Sequence, residues 1–328
     1  MKKVFYLILS LLFFSTNALA FNFQVGFYSG NVTDNRNITV SPSFIIDALF
    51  IKCNAAQYLV ASTSSMPADT TNSLSNGATV TNRIQSMGTG TFQIGSNAEV
   101  NTTGTDNCFY AAFGSDSNSD MAVGTYTGNA TDNRDIVISP AFQPGFVTML
   151  FNGATASNSF RVAAETGDAS LSWYSQSGEN ANRIQAFNVD GFEIGTLNSV
   201  NENAIPYYPI AVKDIPNYVA SGTYTAGGSA TDDLAITVGF QPDFVLIKST
   251  EINHAAIFRT SAMSGDFSCP ANQVACGTNF IQSFTATGFT IGTSVSVQNP
   301  TTTYYWWAIK TPVYSASTRR PITPIAFP

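Results

Sequence analysis

The chain has 328 residues, a formal net charge of −7, and only 11% charged side chains, against roughly 25% in an average soluble domain. Ser, Thr, Asn and Gly supply the polarity instead, and this acidic, charge-poor balance argues against nucleic-acid partners, which are held largely by Lys and Arg on phosphates. The length leads us to expect two or three domains.

The first element is a targeting segment over residues 1–20, "MKKVFYLILSLLFFSTNALA". Lys2 and Lys3 precede an apolar run from Val4 to Phe14, and Ala18-Leu19-Ala20 has the small residues of a signal-peptidase site. The run is shorter than the about 20 residues a spanning helix needs. No later segment is long and apolar enough, so the mature chain is expected to begin near Phe21 without a membrane span. Export through the Sec pathway follows, with an extracellular, cell-surface or periplasmic destination.

Three copies of one pattern come next. "GFYSGNVTDNR" starts at Gly26, "GTYTGNATDNR" at Gly124 and "GTYTAGGSATDD" at Gly222, each 98 residues after the last. The order of later phrases is kept. "SPSFIIDALFIK", "SPAFQPGFVTML" and "GFQPDFVLIK" correspond, as do "NRIQSMGTGTFQIG", "NRIQAFNVDGFEIG" and "NFIQSFTATGFTIG". Aromatic strands close the copies: "CFYAAF", "YYPIAVK" and "YYWWAIK". A fixed period with fixed order marks a repeat architecture.

Within a copy, short alternating runs rich in Val, Ile, Phe, Tyr and Thr are bounded by Gly, Asn, Asp and Pro, the signature of antiparallel strands in a sandwich or barrel. No stretch after residue 20 has helical apolar periodicity. The expected fold is all-β: three tandem antiparallel β-sandwich domains of jelly-roll or lectin-like type over 21–115, 120–214 and 217–312, with about eight strands each. Gly191 and Gly288 are expected to take positive φ in turns. Short linkers predict a semi-rigid rod or a compact trio with contacts only between adjacent copies, and residues 313–328 form an extended Pro-rich tail.

Most charges repeat with the frame. Arg36 corresponds to Arg134, Arg83 to Arg183, Arg161 to Arg259, Lys52 to Lys248 and Lys213 to Lys310; so do Asp34, Asp132 and Asp232, and Asp69, Asp168 and Asp266. Their expected role is to brace loops, through Arg–carboxylate pairs. The Thr-Asp-Asn/Asp phrases read as structural turns rather than Ca²⁺ loops, because each brings only two or three of the six to eight oxygens that Ca²⁺ takes. His254 has no second His or Cys at ligand spacing, so no metal or cofactor is implied. Four Cys in an exported chain read as two disulfides, and Cys53–Cys108 with Cys269–Cys276 keeps both bridges local.

The phrases "YTGNATDNR…FQPGFV" and "GFQPDFVLIK…GFTIG…YYWWAIK" resemble a repeat of bacteriophage tail and tail-fibre proteins and of secreted bacterial surface proteins. The resemblance implies β-sandwich modules with a role in surface-sugar recognition. The first copy departs from the pattern at Ile46 and Asp47.

Recognition is expected on the loops that differ among copies, 62–81, 165–181 and 261–278. Trp173 and Tyr174, with Glu165 and Asp168, are the candidate ligand-binding residues, the indole offering a flat face to a sugar ring. Glu165 and Glu179 are the one carboxylate pair suited to glycan hydrolysis, but neither recurs. In "TYYWWAIK" alternation places Tyr304 and Trp306 on one face and Tyr305 and Trp307 on the other; one face is core, and the second needs an adjacent copy or a partner to cover it. The reading is a non-catalytic adhesion protein for glycans or a cell or phage surface. The alternative is a subunit that self-associates into a fibre or surface layer.

Overall fold

A computed structural model describes residues 21–104, 106–115, 120–152, 157–227, 229–251 and 253–312. Residues 1–20, expected to be a targeting segment, and the Pro-rich residues 313–328 lie outside the described residues. The fold is all-β, as expected, with sheets that are antiparallel throughout. The two helices are single turns, Asn198–Asn201 and Val295–Gln298, too short to leave a periodic pattern in the sequence.

Each copy contributes one large and one three-stranded sheet. In the first copy the large sheet runs in the order Phe21–Ser29, Asn107–Ser115, Ala48–Cys53, Val60–Thr63, Thr71–Ser73, Thr79–Val80. The small sheet places Thr91–Ile94 between Arg36–Thr39 and Ile84–Met87. Corresponding strands pair in the same order in the other copies: Pro206–Val212 beside Phe146–Phe151, and Thr303–Ile309 beside Phe244–Ser249. Large and small sheets face each other across a local core. In the first copy this core holds Ile38, Ile84, Phe92, Ile94 and Val100, and the counterparts of these residues recur in the other two.

The other face of every large sheet is buried as well. Ala48–Cys53, Phe146–Phe151 and Phe244–Ser249 are buried at all positions, and their second faces join one core shared by all three copies. At its centre Trp307 stacks on Phe146 at 3.8 Å and 7°, and on Phe113 at 6.2 Å and 6°. Copies 2 and 1 thus cover the aromatic face that the sequence left open.

The expectation of contacts between sequence neighbours only is therefore corrected. The first and third copies touch directly: the Leu59 amide donates to Ala271 O at 2.9 Å, and the Cys276 amide to Asn54 O at 3.0 Å. At the corresponding place the Asn158 amide of copy 2 donates to Leu74 O of copy 1 at 3.3 Å. The copies close on themselves because each sheet has two apolar faces, and a linear array would leave one face exposed at each end.

Both disulfides form as expected, Cys53–Cys108 between register partners on adjacent strands and Cys269–Cys276 across a loop. Gly191 and Gly288 do not have positive φ. They are glycines because a Cβ would strike the carbonyls of Ile136 and Ile236 on the facing strand.

The repeated phrase is a locked turn. Asn35, Asn133 and Asp233 take left-handed φ of 56°, 52° and 56°. The side chains of Asn101, Asn201 and Gln298 donate to the carbonyls of Thr33, Thr131 and Thr231, while Asp34, Asp132 and Asp232 accept from Gln85, Gln185 and Gln282. The arginines brace loops as expected but by another route. Arg36 and Arg134 lie over Tyr28 and Tyr126 and donate to Ser29 O and Thr127 O. Arg161 donates to the carbonyls of Glu165, Gly167, Ala169 and Ile184, and Arg259 does the same in copy 3. A guanidinium has five donors, and the carbonyls a tight turn leaves unpaired use them. Arg83 alone among these arginines forms an ion pair among the described residues, with Glu99.

Candidate functional site

The variable loops meet where the copies meet. Between copies 1 and 2 lies a cleft of about 770 Å³. Copy 1 lines it with Tyr58, Ser75 and Asn76, and copy 2 with Tyr174, Asn180 and Asn198. Its floor is held by Asn158, whose side-chain amide donates to Ser73 O at 3.1 Å and Leu74 O at 3.0 Å, and by Asn72, which donates to Phe151 O at 2.6 Å. These bonds cross from one copy to the other within buried surroundings, so they fix the two copies against each other beside the cleft.

The 174–180 loop is fixed from below. Arg183 donates to Gly178 O at 3.0 Å and to Ser177 Oγ at 2.6 Å. The Tyr174 hydroxyl donates to Gln176 Oε1 at 2.8 Å. The ring is 37% exposed. Ser75 Oγ, buried in the opposite wall, has no hydrogen-bond partner.

The same loop borders a second cleft of about 800 Å³, closed by Thr250, Glu251, Asn253 and His254 of copy 3. There the Glu179 amide donates to Thr250 O at 3.0 Å. Burial pushes the pKa of Glu179 up and that of His254 down. The third junction is different. Lys52 reaches from copy 1 into the Cys269–Cys276 loop, donating to Val274 O at 2.9 Å and Asn272 O at 3.2 Å, and also to Gln57 O of its own copy. Burial pushes its pKa down to about 7 against the pull of Glu99.

The sequence-based candidates are not brought together. Trp173 is fully buried in the shared core; its indole N–H donates to Thr148 Oγ1 at 2.9 Å, and its ring stands edge-on to Phe50. It has no free face to offer a sugar, and that expectation is corrected. Alternation along Ala169–Ser172 and beyond sends Trp173 inward and Tyr174 outward. Asp168 is exposed, but at the opposite end of that strand from Tyr174.

Glu165 is buried, and neither carboxylate oxygen has a hydrogen-bond partner. It stands where the other copies have Met66 and Met263, both in the shared core. Burial pushes its pKa well above the usual carboxylate range, only partly offset by Arg161. Glu165 lines a separate cavity of about 490 Å³ with Arg161, Gln185 and Asp214. Burial there raises Asp214 to about 6. Among the described residues no three His, Cys, Asp or Glu side chains gather to hold a metal.

Tyr58, Asn76 and Asn180 were missed. They sit in the variable segments or beside them, but only the closed arrangement of copies brings 58 and 76 opposite 174 and 180. Comparison of the chain with protein-family models and with curated proteins finds no match.

Proposed function

We propose that this is an exported, non-catalytic adhesion protein that binds neutral glycans in the cleft between copies 1 and 2. The observation that carries the reading is that Tyr58 of copy 1 and Tyr174 of copy 2 line one cleft whose other described lining residues, apart from Leu197 and the charged Arg183, offer amides and hydroxyls. A sugar ring has a C–H face and a rim of hydroxyls. An aromatic face attracts the C–H edge, while Asn and Gln side chains donate and accept at once, matching hydroxyls that do the same. Placement on loops over a rigid β-frame suits recognition. The two disulfides fit an oxidising compartment, consistent with export, and the repeat resemblance points the same way.

Glycan-array binding tests this directly. Tyr174→Ala should leave stability within about 0.5 kcal/mol of the parent, because the ring is outside both cores, and should abolish glycan binding. Binding that survives both Tyr174→Ala and Asn180→Ala, or no glycan bound by the parent, sinks the proposal. Trp173→Ala does not serve as a test, since removing a buried indole damages the fold itself.

A further inference from the structure

Copy 2 lacks a ring that both of its neighbours possess. In copy 1, Tyr110 is the register partner of Gly26, and in copy 3 Trp306 is the partner of Gly222. Both rings are nearly buried in the local core, edge-on to Phe92 at 5.3 Å and Phe289 at 6.1 Å. Each lies so close to its glycine that any Cβ there would run into it. The corresponding pair in copy 2 is Gly124 and Pro209. A Cβ built on Gly124 meets nothing within 4 Å.

The vacated space is a mainly apolar pocket of about 200 Å³ lined by Gly124, Tyr126, Ile136, Ile138 and Pro209, with Thr125 and Ser139 also in its wall. Proline also brings no N–H to the ladder. The edge strand of copy 2 is accordingly broken into Met121–Val123 and Tyr126–Thr127, where Phe21–Ser29 and Val219–Thr225 run unbroken. The break opens the pocket at the sheet edge.

We propose that this pocket binds a single aromatic ring of a small phenolic or benzyl-type molecule. The neighbouring copies show which group completes this frame, since a phenol and an indole occupy the same place in them. Apolar cavities of about 150 Å³ stay dry and admit a benzene-sized guest. A ring bound here packs against Tyr126, Ile136, Ile138 and Pro209 and takes the place that Tyr110 and Trp306 fill in the other copies. The site is distinct from the inter-copy cleft, because its lining belongs to copy 2 alone and to the outer side of the large sheet.

The probe is p-cresol, the side chain of Tyr110 as a free molecule, titrated into the full protein labelled at isoleucine methyls. Saturable shifts at Ile136 and Ile138, with no matching response to 1-hexanol, are the expected result. Pro209→Tyr puts back the ring of copy 1, and Gly124→Leu fills the same space from the facing strand, where there is room for a side chain. Either folded variant should lose the saturable shift. The proposal is overturned by a parent that shows no saturable response, by an equal response to 1-hexanol, or by shifts that persist in the folded variants.

Discussion

The local cores and the shared core obey opposite rules. Locally the same side chain recurs at many positions, with the place of Tyr110, Pro209 and Trp306 an exception: Ile84, Ile184 and Ile281; Phe92, Phe192 and Phe289; Val100, Val200 and Val297. In the shared core corresponding positions differ in size: Ala48, Phe146 and Phe244; Ala111, Ile210 and Trp307; Ala61, Phe160 and Phe258. A space common to three copies cannot take the largest residue from each, because interiors are close-packed and overpacking is destabilising. The copies are thus interchangeable in fold and not in position.

The largest expected effect tests whether one core serves all three copies. Trp307→Ala removes a ring stacked on residues from both other copies and should cost about 3–5 kcal/mol, a large share of an ordinary stability of about 5–15 kcal/mol. Urea denaturation should shift as one transition. A split transition, or a cost below about 1 kcal/mol, would break the comparison between the two kinds of core.

A smaller effect of opposite sign is expected at Glu165. Glu165→Met restores the residue type of the other copies and removes two unpartnered buried oxygens, stabilising by about 1–3 kcal/mol. The sign of the pH dependence follows from the raised native pKa. Stability contributed by the protonated carboxyl is full below its ordinary value of 4.5 and is lost as pH rises through the higher native value. Asp214 adds a decline between 3.8 and about 6. Denaturation across a pH series should show the variant with a flatter decline at higher pH while the Asp214 step persists; an unchanged profile would mean that Glu165 does not titrate as argued.

The smallest effect concerns the repeated turn. Arg134→Leu copies Leu234 of the third copy and removes the bond to Thr127 O, a longer one to Asn201 Oδ1, and the contact over Tyr126. A cost of no more than about 1 kcal/mol is expected, seen as a melting shift under about 4 °C. A much larger loss would show that this arginine does more than brace a turn.

Several of these features were legible in advance, and others had a signal that needed a different rule. The runs "ALFIKC", "FVTMLF" and "FVLIKS" hardly alternate, as expected of strands buried on both faces. That pattern announces a second packing surface on each large sheet without saying what covers it. Alternation in "TYYWWAIK" sorted its aromatics correctly, with Trp306 in the local core and Trp307 in the shared one. The same rule applied to Trp173 and Tyr174 says that one points inward, and it took the neighbouring copies to decide which.

By itself the sequence determined the all-β class, the threefold repetition, both disulfides and the turn that opens each copy, because these depend on residues near in sequence or on period-two patterning. Only the tertiary structure decided that copies 1 and 3 meet, that Trp173 is interior, that Glu165 occupies a methionine's place, and that Tyr58 and Tyr174 line one cleft. Those outcomes depend on which apolar face meets which across a shared centre. Complementary size between distant segments leaves no periodic mark along the chain.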